Sequence, residues 1–385
     1  MMKYQLLLLI FSWVTSTSAK ADSPEIDLST QQSLDKLVTE IQAKSKLVGL
    51  GAIVMQDNKT LAISTAGERK VDSGVKITTD DQWHIGSITK SMTATMIAQL
   101  VETGKLNWKT SVKDIFPKET KANKIHKKWH DITLEQFLTH TSGVKGNFSM
   151  DIQTLWPEEG KERMDVRKAQ VLDVLKSAPE LTPGKQFLYS NVGFTIAGVF
   201  AEQKTGKSWE SLIRKNLFEP LALSQAGFGP PKDGDKELEQ PRGHQKGLFG
   251  FGSPKAVSTE ADNSPVMGPA GTIRMTLREL AAYANEHLQG EKGKGKLLKQ
   301  STYQYLHSAK LNDYAFGWVV QNSDMSGPVI WHNGSNTMWY ALVVFFPELD
   351  VVIAVTSNDG NIKQAEKNAW KIVREMTKKI REKNS

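Results

Sequence analysis

The 385-residue chain carries 39% hydrophobic and 24% charged residues, an ordinary balance for a folded protein with a large core. It contains no cysteine, which excludes a disulfide framework, a thiolate nucleophile and a cysteine-ligated metal. The formal charge of +7 is a modest excess, and the lysine clusters at Pro117 to Lys128 and Glu291 to Lys299 lack interleaved aromatics, which argues against nucleic-acid binding.

Taken in chain order, Lys3, the apolar run from Leu6 to Val14 and the small residues ending in Ala21 predict a secretory signal over residues 1–21. Export to a periplasm or the medium follows. The run is shorter than the roughly 20 residues a bilayer span needs, so no transmembrane anchor is expected after cleavage. Leu34, Leu37, Val38 and Ile41 then recur at helical spacing between Ile26 and Leu47. Two β-branched runs, "VGLGAIVMQ" and "TLAISTAG", flank Asp57-Asn58-Lys59 and read as a hairpin. From Ser87 to about Leu311 the signals are mostly helical or irregular, with several helical runs ending at a glycine and a capping box at Thr133 and Gln136. The glycine-rich stretch from His244 to Lys255 reads as a mobile loop over a cleft. Near the C-terminus "YAFGWVVQ", "PVIWHNG", "YALVVFFP" and "VVIAVTSN" read as consecutive strands, with a turn at Pro347 to Asp350. A basic amphipathic helix from Ile362 to Ile380 closes the pattern. The order strand, helical body, strand predicts an α+β fold: an antiparallel sheet built from both chain ends and flanked by helices, with a large, mainly helical inserted domain. The expected division of residues 22–385 is a helical insert at about 88–311 and a sheet subdomain at about 22–87 plus 312–385.

Within "IGSITKSM", Ser87 and Lys90 stand three apart at the threshold of a helical pattern. One turn of helix brings such residues together, so Ser87 reads either as a helix cap or as a nucleophile whose base is Lys90. A lysine takes a proton only when neutral, which burial or nearby positive charge brings about. Two distant stretches add weight to the second reading. "LYSNVG" places Tyr189 and Asn191 where a loop meets the next helix, and "WHNGS" places His332, Asn333, Gly334 and Ser335 at the end of a strand.

"SITK", "YSN" and "HNG", in this order, resemble the serine β-lactamase and penicillin-binding protein superfamily. They look most like the branch of class C β-lactamases, D-Ala-D-Ala carboxypeptidases, D-aminopeptidases and related esterases. The resemblance spans nearly the whole chain after residue 21, including "ITLEQFLTHTSG" and "GPAGTIRMT". It implies a β-lactamase/transpeptidase-like fold with Ser87 as the acylated nucleophile and Lys90 as its base. It implies Tyr189 as the proton relay, Asn191 as a contact to the acyl side chain that also orients Lys90, and His332 as a group tuning Tyr189. Backbone N–H groups of Ser87 and Ser335 would form the oxyanion hole, and Asn333, Gly334 and Ser335 would line the substrate site. No metal or organic cofactor is implied. The expected partner is a small-molecule or peptide substrate, such as a cell-envelope peptide.

Two departures carry expectations of their own. Asn333 stands where relatives that bind a substrate carboxylate usually keep threonine, so penicillins and peptides ending in D-Ala are expected to meet a different contact. His332 replaces a lysine, and an imidazole that titrates near neutrality would make activity depend on pH. An α/β-hydrolase esterase is excluded, because Ile85 and Thr89 occupy the glycine positions of GxSxG. A metallohydrolase would rest on His126 and His130 alone, without the glutamate of HExxH. The reading is therefore an exported serine hydrolase forming an acyl-enzyme at Ser87 on an amide, lactam or ester. The alternatives are a carboxylesterase of the same fold and a binding or regulatory protein that keeps the fold without turnover.

Overall fold

The computed structural model describes residues 27–246, 253–323 and 326–384. The expected signal segment and the centre of the His244–Lys255 loop lie outside the described residues.

Seven strands form one antiparallel sheet: β1 (Gly49–Gln56), β2 (Lys59–Gly67), β3 (Tyr314–Ala315), β4 (Trp318–Ser323), β5 (Gly327–Ser335), β6 (Tyr340–Phe346) and β7 (Val351–Ser357). Their spatial order is β2-β1-β7-β6-β5-β4-β3, so the N-terminal hairpin is stitched to the C-terminal strands through β1 and β7. The hairpin closes through Asp57 and Asn58, at φ 51° and 64°. A two-residue turn with both residues left-handed matches the twist of its strands, and Asp and Asn tolerate that region. The expected single strand "YAFGWVVQ" is two strands, β3 and β4, folded on each other about Phe316 and Gly317. That fold-back carries Tyr314 into the interior.

The sheet is buried on both faces, and its alternation assigns each residue a side. Leu342 and Val344 of β6 pack with helix α1 (Leu28–Ser45) and with the C-terminal helix Ile362–Asn384, through Leu34, Val38, Ala369 and Ile372. Val343 and Phe345 point the other way and join the larger core with Leu280, Ala281 and Ala284 of the helix Leu277–Glu291. Each such side chain contributes about 1.5–3 kcal/mol of burial.

Between the two contributions to the sheet the chain is mainly helical. Helix α2 (Thr89–Glu102) is buried at every position from Thr89 to Ala98, as the central helix of a core must be. Helices α3 (Lys161–Leu175) and α4 (Asn191–Thr205) pack on each other, and α4 also packs on α2. The capping box of Thr133 and Gln136 forms as expected. A three-stranded sheet of Gln82–His84, Ile273–Thr276 and Gly227–Phe228 was not legible as strands, because its members are two to four residues long. It matters for position: the N–H of Ile85 donates to Ile273 O at 3.0 Å, which anchors the chain two residues before Ser87.

Candidate active site

Ser87 sits in a short 3-10 turn, Gly86–Ile88, that runs directly into α2. Its hydroxyl is 3.0 Å from Lys90 Nζ. Lys90 is wholly buried, and its amine has two further neighbours, Asn191 Oδ1 at 2.7 Å and Ala270 O at 2.7 Å. Burial holds its pKa well below the usual lysine value. A neutral amine has two hydrogens and one lone pair. Both neighbours besides Ser87 are acceptors, so they take the two hydrogens and leave the lone pair facing the Ser87 hydroxyl.

Asn191 opens α4, whose N-cap is Ser190; the Ser190 hydroxyl accepts from Gly193 N and donates to Lys145 O at 2.6 Å. The Asn191 amide nitrogen donates to Asn147 Oδ1 at 2.6 Å, which fixes its oxygen toward Lys90. Tyr189 turns its hydroxyl to Ser87 and lies under the Lys90 amine, 4.8 Å from ring centre to Nζ. The residue as a whole is 37% exposed, yet its hydroxyl is desolvated, and this burial raises its pKa and keeps it a neutral phenol. His140 packs at a 45° tilt against the same ring, 4.4 Å between centres, and likewise against Tyr314 at 4.5 Å. The His140 Nδ1 accepts from Ser190 N at 3.1 Å, so the neutral ring carries its proton on Nε2.

His332 and Asn333 diverge from the expected roles. The His332 Nε2 is 3.3 Å from the hydroxyl of Tyr314, not of Tyr189, because the fold-back of β3 places Tyr314 between them. Burial, then the nearby Lys90, lowers the His332 pKa to about 3. The expected titration near neutrality is thereby removed. Asn333 is one residue along β5 and so points to the opposite face. There its amide donates to Glu366 Oε1 at 3.1 Å on the C-terminal helix, and the neighbouring Trp331 meets Trp370 at 5.0 Å. Its side chain is turned away from Ser87 and does not line the site. Gly334 faces inward again. A Cβ there would lie 2.5 Å from Ser87 N, and one on Gly86 would collide with Ser335 N. Two glycines thus let the backbones bearing the Ser87 and Ser335 N–H groups touch.

Three residues that the sequence did not single out brace this contact. His84 Nδ1 accepts from Gly86 N at 3.2 Å, and its Nε2 meets Asp262 at 3.0 Å. The Asp262 carboxylate also accepts from Asn336 Nδ2 at 2.9 Å, one residue past Ser335. Asp262 therefore ties the strand holding Ser335 to the turn holding Ser87. Nothing local announces a partner 178 residues from His84. The two histidines of the discarded metal reading make local backbone bonds, His126 from Lys128 N and His130 to Ile125 O. Among the described residues no group of three or more His, Asp or Glu side chains is arranged to hold a metal.

Comparison with known proteins bears on the family and the fold. The beta-lactamase family profile matches residues 34–376. The chain belongs to the beta-lactamase family. It is 26% identical over 350 residues to penicillin-binding protein 4 of Amycolatopsis lactamdurans, covering 86% of this chain and 84% of that protein. It is 24% identical over 333 residues to protein flp of Staphylococcus aureus strain N315, covering 86% of this chain but only 63% of flp. The fold is shared with D-amino acid amidase from Ochrobactrum anthropi SV3, at TM-score 0.73 and 18% identity over 92% of this chain and 99% of that one. Beta-lactamase-fold homologues are serine hydrolases, and membership of the family supports a hydrolase role here. Among the described residues no helix is long and apolar enough to cross a membrane.

Proposed function

We propose that this protein is an exported serine hydrolase that forms an acyl-enzyme at Ser87, acting on an amide bond next to a D-amino acid. The observation that carries the reading is the surroundings of Lys90: a wholly buried amine, offered two acceptors and one hydroxyl, is an unprotonated base aimed at a nucleophile. In the proposed reaction Lys90 takes the Ser87 proton as Oγ bonds to the acyl carbon. The oxyanion that forms is met by the N–H groups of Ser87 and Ser335. Tyr189, a phenol at rest, donates its proton to the leaving nitrogen as the C–N bond breaks, and Lys90 returns a proton to Tyr189. Water, activated by the same pair in reverse, then releases the acid.

The preference for an amide draws on the names of the relatives, a penicillin-binding protein and a D-amino acid amidase. Export draws on the apolar N-terminal run. Intact-mass measurement after incubation with a fluorophosphonate, and separately with a penicillin, tests the reading. A fluorophosphonate adduct that disappears in Ser87→Ala is the expected result. A penicillin adduct would extend the substrates to lactams, and absence of both would replace the hydrolase by a binding protein of the same fold.

A further inference from the structure

Tyr189 turns its hydroxyl to Ser87 from a stretch, residues 187–190, that belongs to no helix or strand. Such a stretch is fixed by where its backbone polar groups find partners. The N–H before Tyr189, of Leu188, donates to the His140 carbonyl at 2.9 Å. The N–H after it, of Ser190, donates to His140 Nδ1 at 3.1 Å. The His140 ring then packs on the Tyr189 ring itself. One residue therefore grips the phenol from both sides along the chain and across its face. The bonds made by Lys145, Gly146 and Asn147 go to the Ser190 hydroxyl and to Asn191, and so fix the next two residues instead.

Two features show that His140 is more than aromatic filling. Its φ is 58°, a region uncommon outside glycine. That backbone conformation lets its carbonyl and its ring reach N–H groups two residues apart on one segment. Its Nε2, which carries the proton, is buried and has no hydrogen-bond partner among the described residues. A phenylalanine would fill the same nest of Phe187, Phe194 and Tyr314 without an orphaned donor. What the imidazole adds is the Nδ1 acceptor, and that acceptor is spent on the residue after Tyr189.

We infer that His140 is a positioning residue that holds the Tyr189 phenol at Ser87 and thereby governs delivery of a proton to the leaving group. The inference rests on the proposed acyl transfer at Ser87 with Tyr189 as the acid. It singles out one class of substrate for the effect. An amine leaving group must gain a proton as the C–N bond breaks, whereas p-nitrophenolate departs as an anion with the electrons of its C–O bond. A displaced Tyr189 should therefore slow the first and spare the second.

The test uses the p-nitroanilide and the p-nitrophenyl ester of N-succinyl-D-alanine, which share an acyl group and differ in the leaving atom. Their kcat/KM values both report the acylation step. In His140→Phe the anilide value is expected to fall by about 10²-fold, the cost of a 1 Å misplacement, and the ester-to-anilide ratio to rise about 10-fold or more. Loss of folded enzyme lowers both values alike, so a merely structural role leaves the ratio unmoved. Should His140→Phe fail to fold, His140→Gly, which suits the left-handed backbone and keeps the carbonyl, is expected to raise the same ratio. His140→Asn, whose Oδ1 replaces Nδ1, should bring the ratio back toward wild type. A ratio unchanged in both Phe and Gly variants, or raised as far in Asn as in Gly, overturns the inference. Tyr189→Phe separates this from the proposed function: if it too leaves the ratio unchanged, the acid has been misassigned. If the wild type cleaves neither compound, the proposed function fails, and a crystal structure of His140→Phe decides the inference. A Tyr189 hydroxyl withdrawn from Ser87 supports it, and one still bonded to Ser87 overturns it.

Discussion

Lys90 and Arg167 are both fully buried basic residues, yet they are used in opposite ways. Around Lys90 every neighbour is neutral: a hydroxyl, an amide oxygen and a carbonyl. Around Arg167 stand two carboxylates, Glu202 and Glu210, together with the carbonyls of Pro265 and Val266. Desolvation penalises both charges, but only Arg167 is compensated, so its pKa rises while that of Lys90 falls. Burial is a cost to a cation in one place and the source of a free base in the other. The two are connected in the chain, since the carbonyls that Arg167 holds lie just before Ala270, whose carbonyl accepts from Lys90. The ionic cluster thus fixes an acceptor for the chemical one.

Replacing each by methionine breaks the comparison most directly. Lys90→Met is expected to lower turnover by about 10²–10⁴-fold, the usual worth of a general base. Its cost in stability should stay near 1–3 kcal/mol, because Asn191 and Ala270 lose a donor but no charge is stranded. Arg167→Met strands Glu202 and leaves Glu210 with Arg163 alone, and should cost about 3–5 kcal/mol, read as a lower denaturation midpoint. Comparable instability in both variants would remove the distinction. The pH profile sharpens it. Only neutral Lys90 accepts a proton, so activity should fall as pH drops through its depressed pKa, which lies below the usual lysine value. Below that usual value the unfolded chain binds this proton more readily than the folded one, so stability should rise with pH across the same interval. Lys90→Met should flatten that slope.

Smaller effects are expected where a group acts through others. Asp262→Ala leaves the Nε2 of His84 and the amide of Asn336 without their shared acceptor. It should cost about 1–3 kcal/mol. If the bracket spaces the two N–H donors, kcat should fall by about 10-fold or more with KM little changed, and Asp262→Asn should recover part of it. An equal rise in KM would instead mark Asp262 as a substrate contact.

The sheet and its hairpin were legible because each is spelled locally, by β-branched runs and turn residues, whereas the meeting of Ser87, Lys90, Tyr189 and Asn191 was expected only from the family resemblance of motifs far apart in the chain. Asp262 was not legible, because its partners His84 and Asn336 lie 178 and 74 residues away and nothing local marks either contact. His332 and Asn333 show a third case. Their place in the strand was read correctly, but a strand's alternation sends neighbours to opposite faces, and a motif read as a string conceals that. The same strand that aims His332 inward aims Asn333 at Glu366.

That alternation makes the weakest expected effect the most discriminating. Asn333→Thr restores the residue that carboxylate-binding relatives usually keep, yet the hydroxyl would sit on the face of β5 that packs against the C-terminal helix. It would lose the bond to Glu366, at about 0.5–1.5 kcal/mol, and gain no path to a ligand at Ser87. The ratio of KM between the p-nitrophenyl ester of N-succinyl-D-alanine, which ends in a carboxylate, and that of its carboxamide analogue should therefore be the same in Asn333→Thr as in the wild type. A threonine that sharpened the preference for the carboxylate would mean that β5 presents position 333 to the cleft during turnover. The opposition of the two faces drawn from His332 and Asn333 would then have to be abandoned.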